Sequence, residues 1–337
     1  MSKKKIITSI LFFIVIISIT FYSVFSKTSL SSMIDNLEQI KMQFGLICIL
    51  LVIVYFLFQG LYTKIIFKSL NTNISLLKGM YYSIVEFFFS GITPSSTGGQ
   101  PVQLYYMTKD KIPMRKSLIV LILDTIYFKL FLIIAAFIIL IFRWDFIFAN
   151  GKTFTFLFFL GVVMDLLLII ACYFLIFKQK VVKKVLIVLY KIGNKLRLKT
   201  DSDKVEETLE NYRKETLYIK GHKKEVIIGM LITFIQRIFM FSIAFVIYKA
   251  FGFNSYNFID LLVIQISVQL AIEGLPLPGG TGASEHLYKI LYIDIFGITL
   301  ASTGMFLTRL FSFYLPLIVI CIIILIVTRV CYYNEKS

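Results

Sequence analysis

With 58% hydrophobic residues, 34 of them Phe, and a mean hydropathy of +0.85 over 337 positions, the chain carries more apolar surface than a water-soluble globule can hide, which excludes a soluble fold. The formal charge of +16 does not imply nucleic acid as a partner, because the basic residues are concentrated in alternate segments between apolar runs. That siding is what the positive-inside bias of a polytopic membrane protein produces.

The sequence predicts an all-α polytopic membrane protein with about six full spans, since a spanning helix needs about 20 apolar residues and the runs here are continuous rather than alternating. The first run, Ile6 to Phe25, follows MSKKK and lacks a small-x-small cleavage pattern, so it reads as a retained first helix with its N-terminus on the basic, cytoplasmic side. Leu30 to Met42 is amphipathic and is expected on the outer surface. Gly45 to Phe67 is the second span, closed by Lys64 and Lys68.

The next basic cluster, Lys109 to Lys116, belongs to the same side, so everything between must enter the membrane and come back. The two arms, about Ile74 to Ile92 and Pro101 to Met107, are too short for two comfortable crossings. A re-entrant or broken-helix hairpin is the expectation, with its tip at Thr93 to Gln100. Two further spans, Ser117 to Phe142 and Phe154 to Phe177, lead to the basic segment Lys178 to Lys224, whose VVKKVLIVLYKIGNKL stretch has the apolar spacing of an interfacial helix on an anionic leaflet.

The second half repeats the plan with the sides exchanged. Val226 to Phe251 leads outward, Phe258 to Leu275 dips back in, an irregular tip runs from Glu273 to Glu285, His286 to Phe296 returns, and Leu310 to Val330 is the last span, ending on the cytoplasmic side. The chain therefore divides into a first membrane repeat (1–142) with its tip near 93–100, a linking span (143–177), a cytoplasmic basic segment (178–224) and a second half (225–337) with its tip near 273–285. The two hairpins form an inverted repeat, and irregular backbone at corresponding depths of inverted halves points to a midplane binding site. The alternative is that both tips are packing kinks, in which glycines let helices approach closely.

In the first tip, Pro94 frees the backbone from helix, Gly98 and Gly99 allow positive φ, and Pro101 suits the first turn of the returning half-helix. Its open N–H groups suit a phosphate or carboxylate, and Ser95, Ser96, Thr97, Gln100 and Gln103 add neutral donors and acceptors. In the second, Pro276 and Pro278 stop the incoming helix, and Gly279, Gly280 and Gly282 bend the chain. Thr281 or Ser284 caps the outgoing half-helix, whose early turn holds Glu285. Glu273, just before that break, either touches substrate or pairs with a cation. Arg237 and Arg309 lie inside apolar runs, where an ionisable side chain is costly; each either holds a lipid phosphate or pairs with Glu86, Asp124, Asp165 or Glu273. Lys129 is also at membrane depth.

Other chemistry has little support. Cys48, Cys172, Cys321 and Cys331 have no CxxC spacing and read as packing residues, and two histidines cannot build a histidine-rich metal site. GGTGAS lacks the spacing of a phosphate loop, and no catalytic triad stands out, so no catalytic residue, metal or cofactor is expected.

PSSTGGQPVQLYY followed much later by PLPGGTGASE, within one polytopic chain, resembles the lysylphosphatidylglycerol synthase transmembrane (flippase-like domain) family. The resemblance implies the membrane module of the multiple peptide resistance factor, which confers antimicrobial peptide resistance by moving aminoacylated phosphatidylglycerol to the outer leaflet of a bacterial-type inner (cell) membrane. It carries over to Pro94, Gly98, Gly99, Gln100, Pro278, Gly279, Gly280 and Glu285, with Arg237 and Arg309 as additions. Full-length relatives add a cytosolic aminoacyl-transferase domain, and no such segment follows the last helix here. The expected function is thus a flippase-like transporter of an anionic or aminoacylated phospholipid, such as lysylphosphatidylglycerol, with a separate synthase subunit as a possible partner. The alternatives are a lysyl-tRNA-dependent phosphatidylglycerol lysyltransferase, or its membrane subunit, and a non-transporting scaffold.

Overall fold

A computed structural model describes residues 41–93, 96–178, 221–273 and 283–323, with a few further positions between 183 and 216 and at 275. The first span, the outer amphipathic stretch, most of the basic segment and the apex of the second hairpin lie outside the described residues. Elements are numbered from the first described helix: α1 Met42–Ser69, α2 Leu76–Ile92, α3 Gly99–Lys109, α4 Met114–Phe142, α5 Trp144–Ala149, α6 Lys152–Phe177, α7 Lys223–Ala250, α8 Phe258–Glu273 and α9 Ala283–Arg309, which continues through a π-helical turn, Leu310–Tyr314. Among the described residues, Met42–Ser69, Met114–Phe142, Lys152–Ile176, Lys223–Ala250 and His286–Ile323 are long and apolar enough to cross a membrane.

The spans keep large apolar side chains on the outside, among them Leu46, Leu50 and Ile53 of α1 and Leu166, Leu167 and Ile170 of α6. In water such patches would drive aggregation; against lipid they cost nothing. Association between the helices then rests on close packing. Where α1 crosses α2, a Cβ added to Gly79 would stand 2.5 Å from the Gly60 carbonyl oxygen, so larger residues would force the two helices apart.

α1 and α7 form the antiparallel spine: Tyr55 meets Arg237, Phe58 stacks edge-on against Phe239 at 5.4 Å, and Ile66 lies beside Gly229. The first hairpin, α2–α3, opens at the end of the spine where α1 finishes. Asn71 and Lys111, both in left-handed conformation, close the turns there, Ser75 caps α2 by accepting from the Lys78 N–H at 3.2 Å, and Asp110 joins the arms by accepting from the Tyr82 hydroxyl at 2.7 Å. The second hairpin, α8–α9, opens at the opposite end, where α7 finishes: Phe296 packs on Tyr248, Phe251 and Phe253, and Arg143 at the end of α4 pairs with Asp260 at the start of α8.

The helix boundaries differ from expectation at the last span. The described part of α8 reaches Glu273, where the tip was expected to start, and the last span begins well before Leu310. The second arm and the last span are separated only by Gly297, with φ 74° and ψ 165°, a conformation that a side chain would resist. One residue thus turns the chain, and the helix resumes at once.

Candidate functional site

The first hairpin apex is built by contact between α2 and the start of α3. Thr93 ends α2 and its Oγ1 accepts from the Gly98 N–H at 2.9 Å while its own hydroxyl donates to the Phe89 carbonyl at 2.6 Å. One donor at the start of α3 is therefore already used by the protein. The glycines do not use the positive φ open to them: Gly98 is right-handed (φ −84°) and Gly99 begins α3, while among the described residues of the apex Ser96 is left-handed (φ 54°). The glycines are required for space. A Cβ on Gly99 would stand 2.0 Å from Ser90 Oγ and 2.6 Å from the Glu86 carbonyl oxygen, and one on Gly98 would stand 2.5 Å from Thr93 Cγ2. Pro101 falls in the first turn of α3, as expected, where no intrahelical donor is lost.

Close approach of α3 to α2 positions Glu86 and Ser90 beneath the apex, with the Ser90 hydroxyl donating to Glu86 Oε1 at 2.7 Å. On the far side Gln100 Nε2 donates to Thr125 Oγ1 of α4 at 2.6 Å. Asp124, the preceding residue, accepts from Gln59 Nε2 of α1 at 2.9 Å. Arg237 of α7 donates to the Tyr55 hydroxyl at 3.1 Å and lies 3.7 Å from the centroid of the Phe128 ring.

Glu86, Asp124 and Arg237 are within electrostatic reach of one another around that hydroxyl, yet among the described residues the guanidinium is in ion-pair contact with neither carboxylate. Three buried atoms in the same group have no hydrogen-bond partner: Gln59 Oε1, Asp124 Oδ1 and Arg237 Nε; on α7 the wholly buried Gln236 also has both amide atoms unmatched. Polar groups left unmatched in an apolar surround each cost about 1–3 kcal/mol. A constellation of them marks a place for a polar guest.

A second ionic group lies one turn along α4. Lys129 Nζ is 3.0 Å from Asp165 Oδ1 of α6 and donates to Glu273 Oε2 at the end of α8, while Gln269 Nε2 donates to Glu273 Oε1 at 2.9 Å. Thr125 meets the apex of the first hairpin and Lys129 meets the last residue before the second. Four residues on one helix separate them, a rise of about 6 Å near its middle. Two hairpins entering from opposite ends therefore converge at similar depth on one span.

Of the residues singled out from the sequence, Gly98, Gly99, Gln100 and Arg237 surround this polar group, and Gln103 is buried on α3. Ser96 and Thr97 are exposed at the apex. Glu273 faces Lys129 rather than either arginine. Arg309 is buried on α9 with its guanidinium 4.4 Å from the Phe313 ring centroid, just before the π-helical turn. Phe313 in turn packs toward Phe87 and Gly91 of the first hairpin. Ser284 is buried in the first turn of α9, with Glu285 following it. Pro94, Ser95, Pro276, Pro278, Gly279, Gly280, Thr281 and Gly282 lie outside the described residues. Tyr55, Gln59, Thr125 and Gln236 were not singled out from the sequence, and Glu86 and Asp124 entered only as possible partners of the arginines, although an acid inside an apolar run is itself a candidate.

The chain matches the family described as the lysylphosphatidylglycerol synthase TM region over residues 6–320. It is also 24% identical over 281 residues to a UPF0104 membrane protein of Archaeoglobus fulgidus, covering 80% of this chain and 82% of that relative. No solved structure matches it. With a helical body, spans of membrane-crossing length and a family match over nearly its whole length, the chain belongs to the lysylphosphatidylglycerol synthase TM-region family of multi-pass membrane proteins.

Proposed function

We propose that the protein moves a phospholipid between leaflets of a cell membrane, with both termini on the cytoplasmic side and the head group held near mid-depth by α1, α2, α3, α4 and α7. The observation that carries this reading is the partly buried group of Glu86, Asp124, Gln59 and Arg237, in which Gln59 Oε1, Asp124 Oδ1 and Arg237 Nε are not matched by the protein itself. Arg237 offers a guanidinium for a lipid phosphate; Glu86 and Asp124 offer carboxylates for an ammonium. That combination suits a head group carrying both charges, as aminoacylated phosphatidylglycerol does, and acyl chains would remain in the surrounding lipid. Charge siding supports the orientation.

The test is reconstitution in vesicles of phosphatidylglycerol doped with fluorescent lysylphosphatidylglycerol. Wild-type protein is expected to expose the probe to a membrane-impermeant quencher on both faces, and Arg237→Ala with Asp124→Asn to slow that exposure at least tenfold. Equal rates in protein-free vesicles, wild type and variant would refute the reading. Transfer of labelled lysine from lysyl-tRNA to phosphatidylglycerol by this chain alone would instead establish a transferase.

A further inference from the structure

Lys129, Asp165 and Glu273 are all largely buried, Asp165 completely, and they come from three different helices at mid-depth. Their formal charges do not cancel: one ammonium faces two carboxylates. An excess charge in an apolar surround is expensive, and it can be removed by a bound cation or by a proton. The cation position between the carboxylates is already taken by the Lys129 ammonium, and among the described residues no group of three metal-ligating side chains occurs. A proton is the remaining small ligand.

The hydrogen bonds indicate which oxygen receives it. Glu273 is held at both oxygens, by Gln269 and by Lys129. Asp165 Oδ1 lies 3.0 Å from the Lys129 ammonium, but its buried Oδ2 has no hydrogen-bond partner and is the oxygen open to a proton. Its place is fixed by the backbone: one turn before it, a Cβ on Gly161 would stand 1.9 Å from the Leu270 carbonyl oxygen, so α6 lies directly on α8 with Asp165 and Glu273 on neighbouring turns. The titratable or charged groups facing Asp165 are Lys129 from α4 and Glu273 from α8; Cys172 of α6 lies within electrostatic reach of Lys129, and Arg237 of α7 lies across the Phe128 ring.

We propose that Asp165 is a reversible proton-binding site at mid-membrane, and that lipid movement by the neighbouring site is coupled to its loading. The step is balanced simply. One proton from the aqueous phase forms one O–H bond on Asp165, the triad loses its excess negative charge, and Lys129 stays paired with Glu273. With the proton on, the attraction tying α6 to α4 is removed while that tying the second hairpin to α4 remains, so the proton state decides which helices are held together. The coupling rests on the lipid-transport reading above; the proton site does not.

The experiment uses the full chain in vesicles with two readouts. Infrared difference spectra across acid-to-neutral pH, without added substrate, are expected to show a carboxyl C=O band that disappears in Asp165→Asn and persists in Glu273→Gln. On the same vesicles, an imposed pH gradient is expected to change fluorescent-lipid movement severalfold in wild type, and this response is lost in Asp165→Asn. A titrating band that survives Asp165→Asn, or no titrating band at all in protein that moves lipid, overturns the proton site and leaves the transport reading standing. Lipid movement indifferent to the gradient overturns the coupling, and a band that behaves as expected in protein that moves no lipid supports the site while refuting the transport reading.

Discussion

The two ionic groups beside α4 contain the same charges, two carboxylates and one cation, but they are arranged differently. Around Lys129 the cation bridges Asp165 and Glu273 and ties three helices together. Around Arg237 the cation rests on Phe128 and the Tyr55 hydroxyl, and Glu86 and Asp124 take their hydrogen bonds from Ser90 and Gln59. The difference follows from the donors. An ammonium on a flexible stem can settle between two acids, whereas a planar guanidinium held on an aromatic face keeps its edge for something else. The first group is a clamp and the second is left open, which separates a role in holding helices from a role in holding a guest.

This contrast can be broken most severely at the clamp. Lys129→Met strands two buried carboxylates and is expected to destabilise the protein by about 3–5 kcal/mol, whereas the same loss at the open group should be far smaller; thermal unfolding in detergent measures both. Next comes the apex. Gly99→Val drives side-chain atoms into Ser90 and the Glu86 backbone and is expected to cost about 1–3 kcal/mol and to abolish lipid movement. Gly98→Ala meets only the Thr93 side chain, so its smaller defect should be partly relieved by Thr93→Ser, which removes the colliding methyl.

Arg237→Gln sharpens the comparison from the other side. It gives up a cation–π contact of about 0.5–2 kcal/mol and one hydrogen bond, so the melting temperature should fall modestly while the lipid rate falls at least tenfold. An equal loss in both would make the open group a clamp after all.

The smallest effect belongs outside the membrane. Partial burial opposes ionisation of Asp110, but the Tyr82 hydroxyl and the Lys78 ammonium at 3.1 Å outweigh it and hold its carboxyl below the ordinary range. A depressed folded value stabilises above the unfolded one and is lost as pH falls through the folded one. Acidification into and below the carboxylate range should therefore loosen the first hairpin's open end by less than about 1 kcal/mol, since the pair is half-exposed. Asp110→Asn should flatten that part of the stability profile.

Much of the fold was legible because it follows from continuous apolar runs, and both hairpins were visible because Pro, Gly and hydroxyl residues interrupt those runs beside sided lysines. The site was legible only in part. Gly98 and Gly99 were recognised as important for a conformational reason, while their role is the absence of a Cβ against Ser90, Glu86 and Thr93, a contact that only a neighbouring helix creates. Gln59 and Gln236 gave no signal, because an amide in a long apolar run is informative only when the helix rotation is known.

By itself the sequence determined that the chain is helical and resides in a membrane, and it marked the apolar runs that become most of the described spans, though not the break at Gly297, because a bilayer leaves no other way to satisfy a long apolar backbone. It did not determine the pairings. Lys129 reaches Glu273 across 144 residues, while the nearer Asp124 turns to Gln59. Residues 124 and 129 point to different neighbours because five residues turn a helix through well over a full rotation, and which neighbour stands on each face is set by how closely small residues let the helices pack.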